Sequence, residues 1–210
     1  MKKLKKLIIA CDGESASGKS TAAKLISKKY KLLHVNSGLL YRYCSKLIIQ
    51  NNPKNIINFL KKELKHVSYK KISKQRLHSE KISNHVAIIA KNKKVREIIN
   101  HMQKRVIKQN NRICVEGRDI ASKILAKNPK FDIAFYFKCN LSIAAKRRWI
   151  DIKKKVSLKK VTKSLKIRTY LDKNRKNSPL VKVKEAILIR TDKLTKKQVI
   201  IRMSKYIDSL

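Results

Sequence analysis

Residues 13–20 read Gly13-Glu14-Ser15-Ala16-Ser17-Gly18-Lys19-Ser20 and meet the pattern G-x-x-x-x-G-K-[ST] at every fixed position. The apolar run Leu7–Cys11 comes just before, and a helix-forming run from Thr21 to Lys29 follows. Strand, glycine loop and helix in that order constrain the fold tightly. Gly13 and Gly18 let the backbone curl so that successive N–H groups point inward at anionic oxygens. The following helix begins with unpaired N–H groups and a partial positive charge, which favours phosphate there. The expected cradle is Gly13, Glu14, Ser15, Ala16, Ser17, Gly18, Lys19, Ser20 and Thr21. In it Lys19 reaches the outer phosphates and the Ser20 hydroxyl ligates Mg²⁺.

The rest of the chain repeats the alternation of strand and helix. Leu32–Val35 reads as a strand running into Asn36-Ser37-Gly38, and the next helix opens near Leu39 with Ser37 as its expected N-cap. Further strands are expected at Arg112–Glu116, Phe131–Cys139 and Glu185–Arg190, with helices between them and Thr195–Ile207 closing the chain. Five strands separated by helices indicate an α/β fold, a P-loop three-layer architecture with a five-stranded parallel sheet flanked by helices. Val67–Ile72 alternates weakly and Leu77–Ile82 is polar with few apolar anchors, so residues 67–82 read as a small hairpin or irregular insert. In the helix over 93–109 the apolar stripe is Val95, Ile98, Ile99, Met102 and Val106, with Arg96 and Arg105 off it. Ligands in such sheets bind beyond the carboxyl ends of the strands. The stretches 13–20, 36–42 and 116–119 all follow strands and are expected to converge, with Glu116 where an acid would stand near Mg²⁺.

Composition bounds the alternatives. With 55 Lys+Arg against 13 Asp+Glu the net charge is +42, but the lysines are spread along the chain rather than massed in a tail. Polyanions should adhere at low salt and detach steeply as salt rises, without specific nucleic-acid recognition. The four cysteines, Cys11, Cys44, Cys114 and Cys139, show no metal-ligand spacing and are expected as reduced, mostly buried thiols. The basic start Met1–Lys6 precedes an apolar run of five residues, too short for an export segment, and nothing approaches a membrane span. A cytoplasmic, monomeric protein is expected.

With these stretches in hand the chain resembles the bacterial cytidylate kinases, within the nucleoside monophosphate kinase group. The resemblance rests on Asp12–Thr21, Asn36-Ser37-Gly38-x-x-Tyr41-Arg42, Val95-Arg96-Glu97, Glu116-Gly117-Arg118-Asp119-Ile120, and Arg168-x-x-x-Asp172-x-x-Arg175 before Ser178-Pro179-Leu180. It implies transfer of the γ-phosphoryl group of ATP to CMP, and to dCMP, with Mg²⁺. Lys19, Arg42, Arg118 and Arg175 would be catalytic, the three arginines gripping the CMP phosphate. Ser37 would lie beside that phosphate, Arg96 and Asp119 would read cytosine, and Arg168 and Asp172 would contact the sugar. The resemblance also makes 1–210 a single kinase domain, with 67–82 as a monophosphate-binding insert and 146–160, carrying Arg147 and Arg148, as a lid. Ala87 stands where the family has a base-contacting serine, and Thr169 where it has an acid. The alternatives weighed are a P-loop kinase for another small acceptor such as UMP, and a nucleic-acid-binding P-loop protein.

Overall fold

The computed structural model describes residues 5–210; the first four residues of the basic N-terminal stretch lie outside it. The chain divides into two compact units, one made of residues up to His34 together with Asn111–Leu210, the other of Val35–Asn110.

The first unit is built on β1 (Leu7–Gly13), every residue of which is buried. A mainly apolar strand is buried throughout when strands flank both its edges and other elements cover both sheet faces, and β1 has a strand on each side. It pairs in parallel with β3 (Arg112–Glu116), with Cys11 opposite Glu116, and with β4 (Ile133–Lys138), with Gly13 opposite Phe137. β5 (Ile187–Arg190) extends the sheet beyond β4, and β2 (Leu33–Asn36) stands at the opposite edge in the order β2-β3-β1-β4-β5. Among the described residues these are the five strands that the periodicity indicated. Leu7, Ile9 and Cys11 point to one face, where α1 (Lys19–Lys29) and α9 (Lys196–Ile207) cover them with Ala22, Ala23, Ile26, Val199, Met203 and Ile207. Phe135 and Phe137 complete this core, and burying a side chain of that size contributes about 2–3 kcal/mol. Thr195 caps α9 reciprocally with Gln198. A second, smaller core joins α7 (Leu141–Asp151) to α8 (Leu158–Asn174) through Ala144, Ala145, Val161 and Leu165, with Trp149 packed against it. Trp149 Nε1 donates to Val156 O at 2.8 Å across the turn between these helices, a packing role.

The second unit is helical: α2 (Ser37–Asn51), α3 (Ile56–Lys65), α4 (Tyr69–Ser73), α5 (Glu80–Ile89) and α6 (Lys93–Lys108). α2 packs on α4, α5 and α6, and α3 packs on α6. Residues 67–82 hold no hairpin. Ser68 accepts from Lys71 N and starts α4, and Tyr69 and Ile72, three residues apart, bury the same side of its single turn. The weak alternation around Tyr69 that suggested a strand is this i, i+3 pair. Ser37 is the first helical residue of α2 rather than its cap, which is Asn36.

Gly13 is the tightest point of the sheet. Its φ is +154°, and a Cβ there would lie 2.4 Å from Phe137 O. Both backbone atoms belong to paired strands and cannot yield. Gly13→Ala is therefore expected to destabilise the fold by about 2–4 kcal/mol, read from the midpoint of a urea titration; an unchanged midpoint would mean that β1 and β4 can separate here.

Candidate active site

At the carboxyl end of β1 the chain enters the glycine loop. Glu14 N donates to Phe137 O at 3.1 Å, while Glu14 O accepts from Ser17 N at 3.4 Å and from Ser17 Oγ at 2.9 Å. The loop turns through Ala16 (φ 56°) and Gly18 (φ 80°), both left-handed, and α1 begins at Lys19 with no acid in its first turn. Thr191, just after β5, donates through Oγ1 to Ser17 O at 3.0 Å and holds the loop from its far side.

Register brings a carboxylate to this loop. Because β3 pairs with β1 in parallel, Glu116 ends beside Cys11. Its side chain, 1% exposed, bridges three partners: Lys19 Nζ at 3.2 Å and Ser20 Oγ at 2.5 Å on one oxygen, His34 Nε2 at 3.1 Å on the other. Burial pushes this carboxyl up, but the Lys19 charge and the hydrogen bonds of His34 and Ser20 outweigh it and hold Glu116 at about 2. Lys19 is lowered, first by burial, against the opposing pull of Glu116. Asp12 does different work. Its two oxygens accept from Ile120 N at 2.9 Å and Ala121 N at 2.8 Å, anchoring a π-helical turn over 120–124 that the sequence did not announce. Burial raises Asp12 to about 6, against those two hydrogen bonds. Glu116 thus faces Ser20, whereas Asp12 is committed to backbone. The Ser20 hydroxyl and Glu116 carboxylate are hard oxygen groups of the kind Mg²⁺ takes.

The first unit also gathers the residues expected to bind the acceptor that lie in its own segments. Arg118 donates to Gly13 O and to Ser15 Oγ at 3.1 Å, and its Nε forms an ion pair with Asp172 at 2.9 Å. Arg175 lies 3.5 Å from Asp172 and 3.6 Å from Asp119, with its Nε on Ser178 O at 2.5 Å. Asp119 is 6% exposed. Two guanidiniums and two carboxylates thus interleave beside the phosphate loop. Arg168 stands one turn before Asp172 on α8 and is exposed. Arg147 donates to Thr191 O at 2.9 Å and Asp192 O at 3.1 Å, so it braces the loop after β5; Arg148 is exposed.

In the second unit Ser37 is buried at the start of α2, and Arg42 donates to Ser83 Oγ at 2.9 Å and Leu77 O at 3.2 Å. Arg96 is buried although it lies off the apolar stripe. It is 3% exposed, donates to Ala90 O at 3.3 Å and has its guanidinium 5.6 Å from the centre of the Tyr41 ring. The arginine read as lying off the apolar stripe is one of the most buried residues of α6, its planar group lying over an aromatic ring. Ala87, in α5, is exposed.

A family model described as cytidylate kinase matches residues 9–209. The chain belongs to the cytidylate kinase family. A cytidylate kinase of Fusobacterium nucleatum is 31% identical across 97% of this chain and 98% of its own length. One of Clostridium botulinum strain Hall is 32% identical across 91% and 93%. A bifunctional pantoate ligase/cytidylate kinase of Prochlorococcus marinus is 35% identical over 88% of this chain and 40% of its own. Among solved structures, an uncharacterized protein of Eubacterium ventriosum superposes with TM-score 0.59 at 16% identity over 98% of this chain and 100% of its own. A shikimate kinase of Bacteroides thetaiotaomicron superposes with TM-score 0.51 at 9% identity over 96% and 98%. These two likenesses show the fold. No described helix is long and apolar enough to cross a membrane, and the four cysteines are buried and free.

The hub at Glu116 fixes an acid dependence. Its folded value of about 2 lies below the ordinary 4.5, so its contribution is complete above pH 4.5 and is lost as pH falls toward 2. Without magnesium, Glu116→Gln should cost roughly 3 kcal/mol at neutral pH and almost nothing near pH 2, measured as the pH dependence of denaturant midpoints. A cost that stays constant across that range would mean that the carboxylate charge does not hold the hub.

Proposed function

We propose that the protein transfers the γ-phosphoryl group of ATP to CMP, giving ADP and CDP, and accepts dCMP as well. What carries the reading is Arg118, Asp119 and Arg175 set beside the phosphate loop within one unit. A dianionic phosphate suits several planar, bidentate donors, and cytosine suits a carboxylate that accepts from its exocyclic amine. The same reading takes Ser37, Arg42, Arg96, Arg168 and Asp172 as further members of the acceptor set.

Phosphoryl transfer asks the protein for alignment and charge neutralisation more than for covalent chemistry. The N–H groups of residues 13–20 and the start of α1 hold the ATP phosphates, with Lys19 on the outer pair. Ser20, with Glu116 behind it, would hold Mg²⁺, which would supply further charge neutralisation at the triphosphate. Glu116 holds Lys19 and Ser20 aimed at the loop. Arg42, Arg118 and Arg175 offset the charge of the attacking phosphate, which would otherwise repel the γ-phosphoryl group. The same reading takes 1–210 as one kinase domain acting as a monomer, with 146–160 as a lid closing from the α7–α8 turn. The nucleic-acid-binding alternative is not favoured, because the lysines are spread along the chain and a binder has no need of this arginine and carboxylate cluster.

A coupled ADP-release assay across CMP, dCMP and UMP tests the assignment; UMP outperforming CMP would overturn it. Lys19→Met and Arg118→Ala should each lower turnover at least about a hundredfold while keeping a cooperative melt by circular dichroism. Near-wild-type turnover in either variant would remove that residue from its role.

A further inference from the structure

Glu14 is the one carboxylate in the phosphate loop, residues 13–21. A loop that gathers N–H groups for a polyphosphate is a poor place for a negative charge. The side chain is also largely buried, at 11% exposure, so water does little to screen it. Its partner comes from far along the chain. Lys173 Nζ lies 2.7 Å from Glu14 Oε1, reaching over from the last turn of α8. Lys173 itself is 44% exposed, so the pair is an open cation covering a buried anion.

The same end of α8 is fixed by its neighbours. Asp172 holds Arg118 at 2.9 Å and Arg175 at 3.5 Å, and Arg118 in turn holds Gly13 O and Ser15 Oγ. Lys173 is therefore presented to Glu14 by a segment already tied to the loop. Its other neighbours in that segment, Asn174 and Lys176, carry no negative charge that could hold it elsewhere.

We propose that Lys173 is a positioning residue for the donor nucleotide, neutralising Glu14 so that the phosphate loop can accept the full charge of a triphosphate. It acts through Glu14 rather than on the phosphates. The proposal rests on the loop binding ATP and not on the identity of the acceptor, so its test contains no acceptor. A failed CMP assignment and a failed Lys173 role are then separately visible.

The test is a calorimetric titration of the full chain with ATP, ADP and AMP at fixed magnesium. Lys173→Met exposes the loop to the Glu14 charge and should weaken ATP binding about tenfold. The loss should shrink stepwise from ATP to ADP to AMP, because the repulsion scales with ligand charge. Lys173→Arg should restore binding to within about threefold of wild type, and so should Glu14→Gln combined with Lys173→Met. Three results would overturn the proposal: ATP affinity in Lys173→Met within twofold of wild type, an equal loss for all three nucleotides, or a double variant as weak as Lys173→Met. The last would mean that Lys173 meets the phosphates itself.

Discussion

A single buried carboxylate organises the donor side of this protein. Glu116 stands where β3 ends because β3 and β1 pair in register, and from there it takes Lys19, Ser20 and His34 together. A charge so buried is tolerable only when paired and hydrogen-bonded, and three donors on two oxygens meet that condition. The arrangement works in both directions. Lys19 is itself 8% exposed and would be costly to bury alone, so anion and cation each make the other's position possible. The loop residues between them inherit a fixed starting geometry, which is what a site needs when its chemistry is mostly alignment.

Much of this was legible in the sequence where it depends on residues near one another in the chain. The loop 13–20, the strand ending at Glu116 and the pair Arg118–Asp119 are local signals, and each sits where its motif placed it. What escaped was long-range pairing. His34 and Glu116 are 82 residues apart, Lys173 and Glu14 are 159 apart, and Arg147 and Thr191 are 44 apart. Periodicity carries no information about such contacts. One hint was available: His34 is a polar residue inside an otherwise apolar strand, two positions before Asn36-Ser37-Gly38. The burial of Arg96 escaped for a related reason. Helical patterning places it off the apolar stripe but does not show the Tyr41 ring and Ala90 carbonyl that it meets. Residues 67–82 defeated the pattern because a five-residue helix is too short to show a period.

The chain's charge looks different once its acids are located. Of 13 Asp and Glu residues in a protein of net charge +42, Asp12, Glu14, Glu116, Asp119 and Asp172 lie at the phosphate loop or in the arginine cluster beside it. Two of the others hold backbone: Asp132 accepts from Ile8 N and Asp192 from Asn140 N. The lysine excess is a property of the surface. The carboxylates are placed against particular donors, and those placements mark out the site more sharply than the cations do.

Asp172 has a further consequence. It sits between Arg118 and Arg175 and shares both. A nest of guanidiniums alone would form a deep electrostatic well, and a nucleotide that fell into it would leave slowly whether or not it had reacted. A resident carboxylate makes the well shallower, because each guanidinium already has a partner within reach. Asp172 thereby lowers the net positive charge of the cluster, so that an anion entering it would have to displace an ion pair rather than meet bare cations.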